Sequence, residues 1–248
     1  MIPIGDANPT RSFPFVNYAL LAVNVLAWFW QLGLMQQGAA WVVPGYGMVP
    51  SRLTLDPLGE AFTVLSSMFM HGGWAHVGGN MLFLYVFGDN VEDALGHLRY
   101  AVFYLIGGVA AAMAQLGTDP GSTIPMVGAS GAIAAVLGAY LVLYPRAPVT
   151  VLFGFFFLVF PAWLVVGEWF LWQLIMGVGS LGAEGGGVAF FAHIGGFIAG
   201  LLGVRPFMAG RHKAEADQWH GWRPPPRRIA TSPWRSSRPR PGRWDPWN

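Results

Sequence analysis

The side chains best suited to do chemistry are few and widely separated. Ser130 stands in Gly128-Ala129-Ser130-Gly131 at the head of one apolar stretch, and His193 stands in Ala192-His193-Ile194-Gly195-Gly196 inside another. A hydroxyl or imidazole buried away from water costs about 1–3 kcal/mol unless it finds a partner, so two such groups in apolar segments point to a shared site. The chemistry this pair suits is nucleophilic, a serine hydroxyl activated by a histidine base. A second cluster, from His71 through His76 to Asn80, sets His76 and Asn80 one helical turn apart on one face, where both can donate hydrogen bonds to a developing oxyanion. His71 and His76 are five residues apart and no His-Glu-x-x-His occurs, which disfavours a metal site; no cofactor is called for.

The elements that carry these groups read as membrane helices. Of 248 residues, 54% are hydrophobic and only 10% charged, and the mean hydropathy is +0.46, too apolar for a soluble domain of this length. Cysteine is absent, which excludes disulfides, thiolate catalysis and cysteine-ligated zinc. Apolar runs at residues 15–34, 74–95, 100–116, 130–144, 149–176 and 187–207 are long enough, or nearly so, to cross a hydrocarbon core of about 30 Å. The expected fold is an all-α bundle of six transmembrane helices over residues 15–207. An N-terminal cytoplasmic segment (1–14) precedes it, and a disordered, basic, Pro- and Trp-rich cytoplasmic tail (208–248) follows. The opening Met1-Ile2-Pro3-Ile4-Gly5-Asp6 lacks the basic region of a cleavable signal peptide, so the first span is expected to be retained. Of the 14 Lys and Arg, 13 fall on one side of this map and only Arg52 on the other. That split orients an integral multi-pass protein with both termini cytoplasmic, and the expected location is a bacterial cytoplasmic membrane.

Counting along the spans brings the two reactive groups to one depth. The 130–144 run measures about 22 Å, short of the membrane, and Pro145 closes its inner end, so the shortfall places Ser130 below the outer surface at a helix N-terminus. His193 lies six residues past Gly187, roughly 9 Å down. Ser130, Ala134 and Gly138 share one helix face and His193, Gly196 and Gly200 another, two faces small enough for backbones to meet.

On these motifs the chain resembles the rhomboid family of intramembrane serine proteases, from about Phe15 to Phe207. The residues that carry the likeness are His71, His76 and Asn80, the Gly-x-Ser-Gly of Gly128 to Gly131, and the Ala-His-x-x-Gly-x-x-x-Gly of Ala192 to Gly200. The resemblance implies a six-helix fold and a Ser130/His193 dyad without a triad carboxylate. It also implies an oxyanion site supported by the Ser130 N–H, His76 and Asn80, next to Gly128 and Ala129, with transmembrane proteins in the lipid bilayer as substrates. The fifth helix and fifth loop would act as gate and cap. For these the sequence offers Pro161 as a bend in the fifth helix and the glycine run ending in Gly185, Gly186 and Gly187 as a flexible cap. Two departures stand out: many members carry a Trp-Arg pair in the first loop where this chain has Ala61-Phe62-Thr63, and Ala134 occupies the place of an aromatic residue that often stacks on the histidine.

By itself a Gly-x-Ser-Gly in an apolar helix is more often a packing motif than a nucleophile; the joint occurrence of both groups decides. An aspartyl dyad is disfavoured because no second membrane aspartate pairs with Asp89. Glu168, about 19 residues into the fifth run, reads as an outer-interface residue or as a polar contact at the gate. The alternative function is a catalytically inactive rhomboid-like protein that binds and routes membrane clients; retention of both Ser130 and His193 argues against it. A small transporter is disfavoured because no discontinuous helix pair or internal repeat is evident in the sequence. The basic, aromatic tail suits transient contact with anionic lipid headgroups or, equally, a solvated linker with no role, and either before nucleic acid.

Overall fold

The computed structural model describes residues 1–180 and 189–210. The glycine run with Gly185, Gly186 and Gly187 and the basic tail beyond residue 210 lie outside the described residues.

The first apolar run forms α1 (Phe15–Gln36). The loop after it folds into three short helices, α2 (Val42–Tyr46), α3 (Pro50–Leu55) and α4 (Ala61–Ser66), and a 3-10 turn at Ser67–Phe69. Then come α5 (Trp74–Leu95), α6 (His97–Thr118), α7 (Ser130–Leu143), α8 (Ala162–Gly179) and α9 (Phe190–Phe207). Among the described residues α1, α6, α8 and α9 are each long and apolar enough to cross a membrane. α5 has the length but ends in Asp89, Glu92 and Asp93, and α7 has only 14 residues.

α7 is the axis of the bundle. Every residue from Gly131 to Tyr140 is buried, as befits a helix that is apolar all round and packed by α5, α6 and α9. Small residues make this packing close. A Cβ on Gly196 would overlap the Gly131 carbonyl, one on Gly200 the Ala135 carbonyl, and one on Gly138 the Phe197 carbonyl, so the α7 and α9 backbones touch directly. On α6, Gly107 makes room for the Ala135 methyl of α7, and Gly108 for the Met68 side chain, with the Ala132 methyl of α7 beside it.

Polar side chains hold α1 to the bundle. Asn17, Asn24 and Gln31 recur every seven residues on its buried face. Asn17 Nδ2 donates to the Leu84 carbonyl (3.1 Å), and Gln31 takes both backbone groups of His71, at 2.7 and 3.0 Å. The acidic end of α5 closes the start of α1: Glu92 accepts the Val16 and Asn17 N–H groups at 3.0 and 2.6 Å, a carboxylate set against unpaired helix N-terminal donors.

The all-α expectation needs correction at one end of the bundle, where three strands form an antiparallel sheet. β1 (Ile2–Asp6) pairs with β2 (Pro148–Phe153), which pairs with β3 (Phe156–Pro161). The single helix expected over residues 149–176 is therefore a hairpin followed by α8. Its first half is rich in Val and Phe, which suit a pleated surface, and Gly154 turns the chain at φ +60°, a left-handed conformation that glycine adopts without strain. Pro161, expected as a bend within a helix, instead ends β3 and precedes the first turn of α8, where its fixed φ and missing N–H cost nothing. Glu168 moves with it. It is the seventh residue of α8, in the half nearer the sheet, accepts the Trp172 indole N–H at 3.1 Å and lies 3.8 Å from the Met1 nitrogen, so it is not at the opposite, site-bearing end.

β1 brings a carboxyl into the bundle base, where the Tyr140 hydroxyl donates to Asp6. Burial pushes the Asp6 carboxyl up to about 7, against that hydrogen bond and with help from Asp89. A carboxyl raised on folding favours the folded chain while it stays protonated. Its contribution is complete below the ordinary value of 3.8 and is lost as pH rises to about 7. The unfolding midpoint in mild micelles is expected to fall across that window and Asp6→Asn to flatten the fall; equal slopes for the two proteins would refute this role.

Candidate active site

Ser130 is the first residue of α7, so its N–H and those of Gly131 and Ala132 have no partner within the helix. The approach to it is pinned to the first loop. Met48 and Met126 exchange backbone hydrogen bonds at 3.0 and 2.8 Å, and the Gly128 N–H donates to the Ser67 carbonyl at 2.9 Å. Gly128 then turns at φ +126°, where a Cβ would also stand 2.7 Å from His76 Nε2, so both backbone and space demand glycine. The first loop has Ala61-Phe62-Thr63 and no Trp-Arg pair there, and Arg52 knits it. Arg52 binds Glu60 through Nε (2.9 Å) and Nη2 (2.5 Å) and donates from Nη1 to the Pro44 carbonyl (2.6 Å).

His193 sits in the first full turn of α9, whose start is steadied by Gln115 of α6, an acceptor for the Ala192 N–H at 3.3 Å. Because the α7 and α9 backbones touch, His193 Nε2 stands 2.7 Å from Ser130 Oγ. Its Nδ1 lies 2.7 Å from Gln173 Oε1 of α8. An amide oxygen can only accept, so the imidazole proton belongs on Nδ1 and leaves Nε2 free to accept the serine O–H. His193 is 9% exposed, and the indole of Trp169 lies beside its ring with centroids 5.9 Å apart. That indole supplies from α8 an aromatic neighbour absent at Ala134, which is wholly buried between helices.

Ser130, His193, His76, Asn80 and Gly128 line one cavity of about 920 Å³, walled by Trp74, Phe83, Ile133 and Trp169. His76 Nδ1 accepts the Gly72 N–H at 3.2 Å, so its proton resides on Nε2, which points toward Gly128 and the start of α7. Asn80 Nδ2 is buried and has no hydrogen-bond partner among the described residues, a donor held at the cavity wall. Ala129 is wholly buried and caps the first turn of α7, its carbonyl accepting the Ile133 N–H at 3.0 Å. His71 stands apart from this group. It is completely buried, does not line the cavity, and packs edge-on behind the His76 ring at 5.3 Å. Burial, reinforced by His76, pushes its imidazole down to about 4, so it is neutral.

Gln173 and Trp169 went unseen in the sequence. Their one available signal was an amide four residues after a tryptophan in a helix whose one charged side chain is Glu168, a spacing that places the two on one face. Among the described residues no cluster of three His, Cys, Asp or Glu is arranged to hold a metal.

Residues 58–208, more than half the chain, match the Rhomboid domain. The mitochondrial Rhomboid protein 1 of Saccharomyces cerevisiae is 30% identical over 191 residues, covering 75% of this chain and 51% of the yeast protein. Rhomboid-related protein 2 of Mus musculus is 30% identical over 188 residues, 73% of this chain and 60% of the mouse protein. The rhomboid protease GluP of Bacillus subtilis is 32% identical over 128 residues, 52% of this chain and 24% of that protein. The chain thus spans less than two thirds of each of these relatives. Its apolar helices and these likenesses make it a membrane protein, and the chain belongs to the rhomboid family.

Proposed function

We propose that the protein is an intramembrane serine endopeptidase that cuts membrane proteins in or near their transmembrane segments. The observation that carries this reading is the 2.7 Å approach of Ser130 Oγ and His193 Nε2, with Nε2 left free by the Nδ1 contact, at the wall of a roomy cavity. In the proposed reaction His193 takes the Ser130 proton as Oγ attacks the scissile carbonyl carbon. The tetrahedral oxyanion is met by the Ser130 N–H, His76 Nε2–H and Asn80 Nδ2–H. Imidazolium then protonates the leaving amine as the C–N bond breaks, and water activated by His193 hydrolyses the acyl-enzyme.

On this reading α1, α5, α6, α7, α8 and α9 are the six spans, forming one membrane domain over residues 15–207. Arg11, Arg99, Arg146 and Arg205 mark the cytoplasmic face that carries the sheet and both termini. The cavity opens on the other face, and a substrate helix has to unwind there before its peptide bond can be attacked. α8 suits a gate. Between Val166 and Gly177 it has no fully buried residue, so this half is lightly held.

The test is labelling of the purified full chain with a serine-directed fluorophosphonate, with Ser130→Ala and His193→Ala beside it. Wild type labelled and both variants unlabelled support the protease. A well-folded wild type that stays unlabelled rejects it in favour of a client-binding member of the family.

A further inference from the structure

The His193 imidazole is carried by one helix and oriented by another. α9 supplies the ring, and α8 supplies the Gln173 oxygen on Nδ1 and the Trp169 indole alongside. The amide is itself oriented, since Gln173 Nε2 donates to the Trp169 carbonyl at 3.4 Å and turns Oε1 toward the ring. In a Ser-His-Asp triad a carboxylate fixes the tautomer and stabilises the imidazolium. Within a membrane an ionised carboxylate carries a large desolvation cost, whereas a neutral amide accepts the same Nδ1–H hydrogen bond without it.

Building on the protease reading, we infer that Gln173 is a positioning residue that holds His193 in its Nδ1–H form, and that the base is ready only while α8 is docked. Residues 162–166 anchor the sheet end of α8 through buried Ala162, Val165 and Val166, while the part beyond, which carries Gln173, has no buried residue before Gly177 and meets the bundle through the half-buried Trp169 and Phe170. Displacing this part withdraws Gln173 and Trp169 together. Opening for substrate and activation of the nucleophile then become successive rather than simultaneous states.

The test compares wild type with Gln173→Met, which keeps the length but cannot accept through oxygen, and Gln173→Glu, which restores an acceptor. Cleavage of a transmembrane substrate in proteoliposomes is read alongside fluorophosphonate labelling and the unfolding midpoint. Gln173→Met is expected to lower kcat about 10- to 100-fold, the worth of one hydrogen bond to a group that becomes charged, with KM within about twofold of wild type. Gln173→Glu is expected to recover much of that loss, because even a neutral carboxyl keeps a carbonyl oxygen that accepts the Nδ1–H. Wild-type kcat in Gln173→Met overturns the inference. So does an equal loss in both variants, the pattern of mere packing. A wild type inert to the fluorophosphonate removes the protease reading itself, a result distinct from an active wild type that is indifferent to position 173.

Discussion

Ser130→Ala and His193→Ala, made singly, are each expected to slow cleavage of a transmembrane substrate by about four to six orders of magnitude, and the double variant is expected to be no slower than either. The reason is the single 2.7 Å contact through which both groups act. Removing the hydroxyl leaves no nucleophile for the imidazole to activate, and removing the imidazole leaves a neutral alcohol of negligible nucleophilicity. What survives in all three variants is the donor set of His76, Asn80 and the α7 N-terminus, which still polarises a carbonyl toward water. Single-turnover cleavage in proteoliposomes gives the three rates. Losses that multiply in the double variant would mean that the residues act independently, and the dyad would have to be abandoned.

Gly200→Val is expected to abolish labelling of Ser130 and to destabilise the fold by more than about 3 kcal/mol, although it touches no reacting atom. A Cβ there overlaps the Ala135 carbonyl, which is main chain and has no rotamer with which to yield. Gly203→Val is the matched control. One turn further along α9 an added Cβ meets only the Phe103 ring edge at 3.7 Å, ordinary contact, and both stability and labelling are expected to stay close to wild type. Thermal unfolding in micelles, read with fluorophosphonate labelling, separates the two. Similar behaviour of the two variants would show that the α7 and α9 backbones are not in contact.

Much of this site was legible before any coordinates. The short run beginning at Ser130, its stop at Pro145, and the small residues at Ala134, Gly138, Gly196 and Gly200 fix the length, end and closeness of α7 and α9, because packing in lipid turns on residue size. The hairpin was not legible. Residues 149–161 are apolar throughout, and such a run reads equally as strand or helix when its pairing partner, β1, lies some 145 positions away in the chain. That one misreading displaced Glu168 and Pro161 and concealed Gln173. An amide in an apolar helix acquires meaning only when the helix start is known, and α8 begins at Ala162, after the hairpin. Ala134 teaches a related lesson: an aromatic neighbour absent from one helix is supplied by Trp169 of another, across a contact that no local pattern encodes.

Where α7 and α9 meet main chain to main chain, the spacing of Ser130 and His193 inherits the stiffness of two hydrogen-bonded rods rather than the adaptability of interlocking side chains. Lipid-facing positions on the outer helices can therefore drift through many apolar residues, and the surrounding bilayer can thicken, thin or be exchanged for detergent, while hydroxyl and imidazole keep their separation. Such changes alter how readily the chamber is entered and leave the machinery inside it in tune.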